Sequence, residues 1–432
     1  MKNVLIKGQF SQRPLALAMG LGLLSSLALP MQASAADSIT AALTGGKASG
    51  NIRVRYEDVS QDNLTDADAL TIRTRIGYET APYAGFSALV EFEDTHTMLG
   101  QDDYAPESIH TPAPNYATIA DPSVTELNRA YLRYRGVPKL DLGYGRQRII
   151  YDNARFVGNV GWRQDEQTFD GFTAVYTGLT DFTFNYAYLS AVKGIMPIFD
   201  STNIKDNLVN ITYSGFSLGT ITGYAYLLDH EDETDTTVNG GLRFKTSDTY
   251  GLRFAGAYPL PTTKMIKLLY TLEYAQQDYE NTAGTLEADA DYMFGEIGLN
   301  YVGASAIYTG KLSYEVLGSD DGTYGFQTPF ATKHAFNGWA DKFLATPAVG
   351  LVDTFATVNV VIPSLGGLNL LAMYHEFDSD EDSIDYGSEW NFQIMKPFAP
   401  NYTVGIKYAA YSEGDVALGD TDKLWVWAEF NF

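Results

Sequence analysis

The segment LWVWAEFNF, residues 424–432, places apolar side chains at every second position and ends on an aromatic ring. Successive residues of a β-strand point to opposite faces, so this alternation predicts a strand with two different faces. One face is an apolar stripe expected to contact lipid and to guide insertion: Leu424, Val426, Ala428, Phe430 and Phe432. On the other face, Glu429 and Asn431 are expected to point inward. Trp425 and Trp427 interrupt that polar face and are expected to fill part of an inner wall.

The same two-residue alternation recurs along the chain, for example in NIRVRYE (51–57), ALTIRTRIGYE (69–79), FSALVEFED (86–94) and YTVGIKYAA (402–410). Eight short links alternate with nine long polar links and thereby separate 18 strands. Short turns on one rim and long loops on the other are typical of bacterial outer-membrane barrels. The sequence therefore predicts an all-β fold: a transmembrane antiparallel β-barrel with short periplasmic turns and long extracellular loops.

The outer face of the predicted sheet separates this fold from its soluble alternatives. In lipid every backbone donor and acceptor must be paired, so a spanning sheet has to close on itself. A soluble β-sandwich or propeller would also show alternation, but its outer face would be polar. Here the apolar face is rich in Tyr, Phe and Leu.

The first 35 residues have the order of a secretory signal peptide. Three basic residues precede the apolar stretch PLALAMGLGLLSSLALP (14–30), and the small-residue pattern ASA follows at 33–35. A retained membrane-spanning helix is the alternative. We expect cleavage after Ala35, which leaves 36–432 as one barrel domain in the outer membrane of a Gram-negative bacterium.

The charge and cysteine content limit the partners. A formal net charge of −24 argues against nucleic acid, because phosphate binding needs clustered cations. There are no cysteines and hence no disulfides. The expected partners are outer-membrane lipid and lipopolysaccharide, the barrel assembly machinery, and small anionic or sugar-like solutes. The sequence does not specify the number of subunits.

Several stretches resemble proteins related to alginate-export outer-membrane porins: GRQRIIYDNARFVGNVGWRQDEQTFDGF (145–172), YEVLGSDDG (314–322), TPFATKHAFNGWADKFLATPAVGLVDTF (328–355) and DTDKLWVWAEFNF (420–432). The resemblance implies an 18-stranded channel that passes anionic, sugar-like solutes through a basic constriction. In the alginate exporter a long periplasmic turn helps to close the pore. Every predicted periplasmic link here is short, which argues against dedicated polysaccharide export.

Arginine is concentrated in the first part of the chain, with 11 arginines between residues 53 and 163. Alternation places most of them on the inner wall, where they are the candidate pore-lining filter: Arg53, Arg55, Arg73, Arg75, Arg129, Arg133, Arg135, Arg146 and Arg148. The phase of Arg146 and Arg148 is ambiguous. Continued alternation from Tyr144 would point them into lipid, at a cost of roughly 2–4 kcal/mol at mid-depth, whereas a bulge at Gly145 would turn them inward. We favour the bulge or a position above the membrane.

Two roles are open for this arginine wall. Arginine keeps its charge and matches carboxylates with a planar fork, so the wall could select carboxylate-bearing solutes. Alternatively, inward-facing acidic residues could neutralise it and leave a rigid scaffold: Glu57, Glu79, Glu91, Glu93 and Glu126.

The long loops contain two further features. Asp378, Asp380, Asp382 and Glu389 have the spacing of a calcium loop, but Gly is absent from the sixth place. They form only a weak calcium candidate. Loose loop-bound divalent cations are a second possibility, and a plain solvated loop is the expectation. Loop 97–124 or loop 318–353 could fold into the lumen or outward, and FNGWADKFL (336–344) could form a short helix.

Neither catalysis nor a cofactor is expected. The five histidines lack metal spacing and no G-x-S-x-G motif is present. The sequence predicts an outer-membrane porin for passive diffusion of small anionic or sugar-acid solutes through an arginine-lined pore. The first alternative is a general non-selective porin. The second is a barrel enzyme or surface-binding protein with a blocked lumen.

Overall fold

A computed structural model describes residues 36–106, 115–230, 246–261, 263, 265–280 and 286–432. The predicted signal peptide, 1–35, lies outside the described residues. The strands are β1 Lys47–Gln61, β2 Ala67–Glu79, β3 Phe86–Asp103, β4 Val124–Tyr134, β5 Leu140–Gln147, β6 Thr168–Tyr176, β7 Phe182–Lys193, β8 Ser201–Tyr213, β9 Thr220–Leu228, β10 Ser247–Pro259, β11 Ile266–Glu280, β12 Glu287–Val302, β13 Ile307–Leu317, β14 Ser319–Asp320, β15 Tyr324–Gly325, β16 Leu351–Ile362, β17 Leu368–Asp378, β18 Asp385–Phe398, β19 Tyr402–Glu413 and β20 Thr421–Asn431.

Helical structure is sparse. A short helix, α1 Ile39–Thr44, precedes β1, and 3-10 turns span Pro197–Phe199, Lys333–Ala335 and Pro363–Leu365. Ser38 caps α1 by accepting a hydrogen bond from the Ala41 N–H. Across the described residues, no helix has both the length and the apolar character needed to cross a membrane.

Eighteen strands form one closed sheet. Each barrel strand pairs antiparallel with the next one in sequence, and β13 pairs directly with β16. The ladder from Asn51↔Asn431 to Gln61↔Thr421 joins β1 to β20 and closes the barrel. The hairpin of β14 and β15 stands outside this sheet. Within the described residues, closure leaves the 18-stranded sheet without a free edge, as a bilayer requires. The fold prediction of 18 antiparallel strands is confirmed.

The alternation seen in the sequence appears as two faces of the barrel wall. On the outer face, apolar side chains are exposed, including Phe92, Leu312 and Ile297. The predicted C-terminal stripe also lies outside, because Val426 and Ala428 are exposed and alternate with the buried Trp425 and Trp427. Polar and charged side chains such as Arg55 and Glu57 are buried on the inner face.

The largest cluster of buried apolar residues lies inside the barrel. It joins side chains of the wall, such as Trp425, to side chains of two long links, such as Val157 and Trp339. We call residues 148–167, between β5 and β6, the first inner segment. Residues 326–350, between β15 and β16, are the second inner segment. The prediction left open whether the 318–353 loop turns inward or outward; it turns inward.

Candidate channel constriction

The first inner segment lies against the arginines of β1 and β2. Arg53 donates to the Trp162 carbonyl oxygen at 2.9 Å and to Oε1 of Gln164 at 2.9 Å. Arg73 donates to the Gln164 carbonyl oxygen at 3.3 Å. Guanidinium groups carry five N–H donors in a fixed fork, which suits them to bind several carbonyl oxygens. The arginine wall thus positions a loop backbone within the lumen.

Arg55 links this segment to a third part of the chain. Its guanidinium forms an ion pair with Asp121, which precedes β4, and its carbon atom Cζ lies 5.0 Å from the centroid of the Trp162 ring. Asp121 also accepts a hydrogen bond from the Gln164 N–H at 2.8 Å. Part of the predicted 97–124 loop therefore contacts the lumen; residues 107–114 lie outside the described residues.

Other arginines of the wall are paired with carboxylates. Arg75 pairs with Glu93 at 2.5 Å, and Arg129 pairs with Glu91 at 2.6 Å. Arg148 turns inward and pairs with Glu166 of its own segment. Such pairs are consistent with the scaffold role, the second alternative for the arginine wall, in which acidic neighbours neutralise part of its charge.

Arg133 and Arg135 lie at the short-turn rim. Both donate to the carboxylate of Asp141, at 2.6 Å and 2.8 Å respectively. The Arg135 side chain is 49% exposed, so water screens this pair more than the pairs deeper in the lumen. These two arginines belong to the mouth rather than to the constriction.

Arg146 departs from the prediction, because it lies on the outer face. Both ladders of β5 run through Gly145 without a register shift, so the expected bulge is absent. Alternation therefore continues from Tyr144, which is 70% exposed, to Arg146. Arg146 pairs with Asp170 at 2.7 Å and donates to the Leu127 carbonyl oxygen at 3.0 Å. It is thus removed from the pore-lining set.

The sequence interpretation missed Arg163, which joins the two inner segments. This buried side chain donates to both oxygens of Glu57, at 3.0 Å and 2.9 Å, and to Asp341 at 3.0 Å. Its membership of the arginine-rich region was visible in the sequence. Its position was not, because alternation assigns a face only to strand residues.

Asp341 is the central acceptor of the second inner segment. His334 contacts it at 2.7 Å, and Lys423 of β20 donates to it at 3.0 Å. The other ring nitrogen of His334 lies 2.7 Å from Nζ of Lys407. That ammonium is 3.6 Å from the centroid of the Trp339 ring, which is close enough for a cation–π contact.

Backbone hydrogen bonds also join the two inner segments. The Gly158 N–H donates to the Phe330 carbonyl at 2.8 Å, and the Thr332 N–H donates to the Ala154 carbonyl at 2.9 Å. Arg155 adds an ion pair with Glu315 of β13 at 2.7 Å. Together with the Arg163 contacts, these bonds make the inner segments one connected constriction.

Opposing electrostatic effects act on the carboxyl groups of this constriction. Burial alone would raise the pKa of Asp341, but its contact with His334 and the charge of Lys423 hold that pKa well below its usual range. For Asp165 the opposite holds: burial, followed by the charges of Glu93 and Glu126, raises the pKa well above its usual range.

These shifts predict a conductance minimum at mildly acidic pH. Ionised Asp341 stabilises the docking of the inner segments in the lumen at pH values above the unfolded carboxyl pKa of about 4. This stabilisation is lost as the pH falls below that value. Ionisation of Asp165 opposes docking, so protonating it on mild acidification strengthens docking. As the pH is lowered from 8 to 3, single-channel conductance should therefore first fall slightly and then rise below about pH 4. A monotonic change across this range would contradict the assignment.

Two possibilities that the sequence raised for the loops can be compared with the structure. Glu389 lies in β18 and is buried in the lumen, whereas Asp378 and Asp382 are exposed, so the calcium-like spacing does not gather its carboxylates. Among the described residues, no group of three acidic, histidine or cysteine side chains is placed to hold a metal ion. The short helix that the sequence allowed at 336–344 does not form, and this described stretch consists of turns and bends.

A closed barrel with an apolar outer face, a charged inner wall and an internal constriction defines an outer-membrane channel of the porin class. The model of the family described as alginate export matches residues 47–321, and the chain belongs to this family. The resemblance noted in the sequence is confirmed. No match was found among curated proteins.

Solved structures of outer-membrane proteins share the fold at low sequence identity. OccAB1 of Acinetobacter baumannii is 11% identical, with a TM-score of 0.66 over 93% of this chain and 99% of that chain. OccK5 (OpdH) of Pseudomonas aeruginosa is 12% identical, with a TM-score of 0.63 over 90% and 99%. OpdK of the same organism, solved with vanillate, is 14% identical, with a TM-score of 0.62 over 89% and 98%.

Proposed function

We propose that this protein is a passive channel for small anionic or sugar-acid solutes, drawn in by the arginine wall, with no catalytic step and no resident cofactor. The observation that carries this proposal is the bonding of Arg53. It donates to three backbone carbonyls and to the amide oxygen of Gln164, none of which carries a formal charge. Its positive charge is thus not cancelled by the groups that it binds.

Arg73 adds a second positive charge that is only weakly paired. Its hydrogen bonds go to Asn51 and to backbone carbonyls, and its ion-pair contact with Glu429 is long, at 3.7 Å. A narrow lumen with low-dielectric walls concentrates the field of such charges and raises the local anion concentration. Vanillate, the ligand of the OpdK structure, is a carboxylate of the kind that arginine binds well.

The proposal also includes the export of the chain and its insertion in the outer membrane. The signal peptide would be removed after Ala35, the barrel assembly machinery would insert the chain, and lipopolysaccharide would surround its outer leaflet. The apolar outer face and the closed sheet support this placement. Small solutes would cross the lumen past the constriction that the arginine wall and the inner segments form together.

Reversal potential in a planar bilayer under a salt gradient tests the filter. We expect anion preference in the wild type and a weaker preference in the Arg53→Gln/Arg73→Gln double variant, because two positive charges that share one carboxylate, Glu429, are lost. Arg253→Gln is the matched control, since Arg253 is an inner-wall arginine already bound to Glu273. Cation preference in the wild type would refute the filter. No preference would indicate a general porin, and no conductance would indicate a blocked surface-binding barrel.

A further inference from the structure

The tip of the second inner segment binds a carboxylate from the barrel wall. Glu389 points inward from β18, and its Oε1 accepts hydrogen bonds from the backbone N–H groups of Trp339 and, at 2.9 Å, Ala340. The Glu389 side chain is buried. Two successive backbone N–H groups that point at one oxygen form an anion-binding turn.

The turn is shaped around this carboxylate. Gly338 has φ +81°, a left-handed conformation that favours glycine. A Cβ atom at Gly338 would lie 2.3 Å from Oε2 of Glu389. Both the backbone conformation and the space therefore require glycine where the carboxylate approaches.

Glu389 does not complete the hydrogen bonding at this site. In the described part of the chain, its Oε2 has no hydrogen-bond partner, and neither has Nδ2 of the buried Asn391. The Asn391 Oδ1 accepts from the Trp339 N–H at 3.3 Å, so its amide adjoins the same turn. An unpartnered buried carboxylate oxygen is unfavourable, which makes Glu389 a replaceable ligand.

We propose that the turn 338–340 is a carboxylate-binding site that Glu389 fills as an internal ligand, and that the carboxylate of a passing solute replaces it. The incoming group would accept from the Trp339 and Ala340 N–H groups and from the Asn391 amide. His375 lies directly opposite Glu389 in the β17–β18 register, beside the displaced side chain. The solute would thereby release the inner segment from β18 as it passes. This step rests on the proposed function, since it requires carboxylates to enter the lumen.

Chemical rescue in planar bilayers tests the site. Glu389→Ala should shift the second inner segment toward its undocked state by about tenfold to a hundredfold, the effect of losing hydrogen bonds to a charged group, and so raise the conductance. Replacing part of the chloride with acetate should return the variant toward wild-type conductance measured in the same solution. Acetamide, which is neutral, should have no such effect. Glu389→Gln keeps one acceptor oxygen and should show the same acetate dependence at smaller amplitude.

Lys423→Met is the matched control. It also weakens the anchoring of the second inner segment, through Asp341, but it vacates no carboxylate site. Acetate rescue of this control, or unchanged conductance of folded Glu389→Ala and Glu389→Gln, would overturn the inference, as would failure of acetate to act on either Glu389 variant. Rescue together with a cation-selective wild type would retain this site and remove the anion filter. An anion-selective wild type without rescue would do the reverse.

Discussion

Replacing Arg163 with methionine is expected to open the constriction and raise single-channel conductance. The arginine joins Glu57 on β1 to Asp341 in the second inner segment, and all three side chains are almost fully buried. Removing one partner of a buried ion pair costs about 3–5 kcal/mol. The lower end of that range applies here, because Asp341 keeps Lys423 at 3.0 Å and Glu57 keeps Arg55 at 3.6 Å. Here two carboxylates would lose their shared cation. The first inner segment should undock, while the strand ladders remain intact.

Three measurements together identify this outcome. Conductance reports the opening, limited proteolysis reports new access to residues 148–167, and heat-modifiable migration on gels reports a folded barrel. Arg135→Met is the control, because the half-exposed Arg135 shares Asp141 with Arg133, and exposed pairs contribute only about 0–1 kcal/mol. If Arg163→Met kept both wild-type conductance and protection from proteolysis, Arg163 could not be the joint between the segments.

The barrel was predictable because the sequence of each strand alone shows which side chains lie on each of its two faces. A period of two reveals the inner and outer sides without knowledge of the neighbouring strands, and the bilayer requires the sheet to close. Arg53 and Arg73 could therefore be placed on the inner wall from local sequence alone. Loops have no such period, so the inward course of residues 148–167 and 326–350 left no comparable signal.

Arg146 shows that the pattern of one strand is not enough to place a charged side chain on the inner or the outer face. Its phase in the sequence was outward, but the cost of a charge facing lipid favoured an inward bulge. The structure places Asp170 directly opposite on β6, where it offsets that charge. The pairing depends on the register between β5 and β6, two strands that the whole first inner segment separates in the sequence. The sequence of one chain does not provide that register.

Glu389, by contrast, carries a usable signal in the sequence. Its spacing from Asp378 imitates a calcium loop only weakly, whereas Glu389, Asn391 and Gln393 alternate along one strand. That alternation places all three on the inner face of β18, where they are buried. A strand period is physical evidence for a side chain's direction, whereas motif spacing without its glycine is not.

Removing Phe432 is expected to reduce the amount of assembled barrel strongly. Its backbone N–H and carbonyl exchange hydrogen bonds with Gly50 at 3.0 Å and 3.1 Å, at the seam between β1 and β20. A Cβ atom at Gly50 would lie 2.1 Å from the Phe432 ring, so the ring covers this glycine on the outer face. Loss of the residue leaves backbone groups unpaired in an apolar setting, where each costs several kcal/mol.

The backbone and the ring of Phe432 can be separated experimentally. Phe432→Ala keeps the two seam hydrogen bonds and loses only apolar contact, worth up to about 1.5–3 kcal/mol, so its assembly should fall between those of the deletion and the wild type. Phe398→Ala is the control, because Phe398 is similarly exposed near the end of β18 but lies away from the seam. The measurement is the amount of heat-modifiable protein in isolated outer membranes. Equal amounts for wild type and deletion would mean that closure of β1 against β20 does not depend on this residue, and would leave the exposed apolar stripe of β20 as the remaining source of insertion.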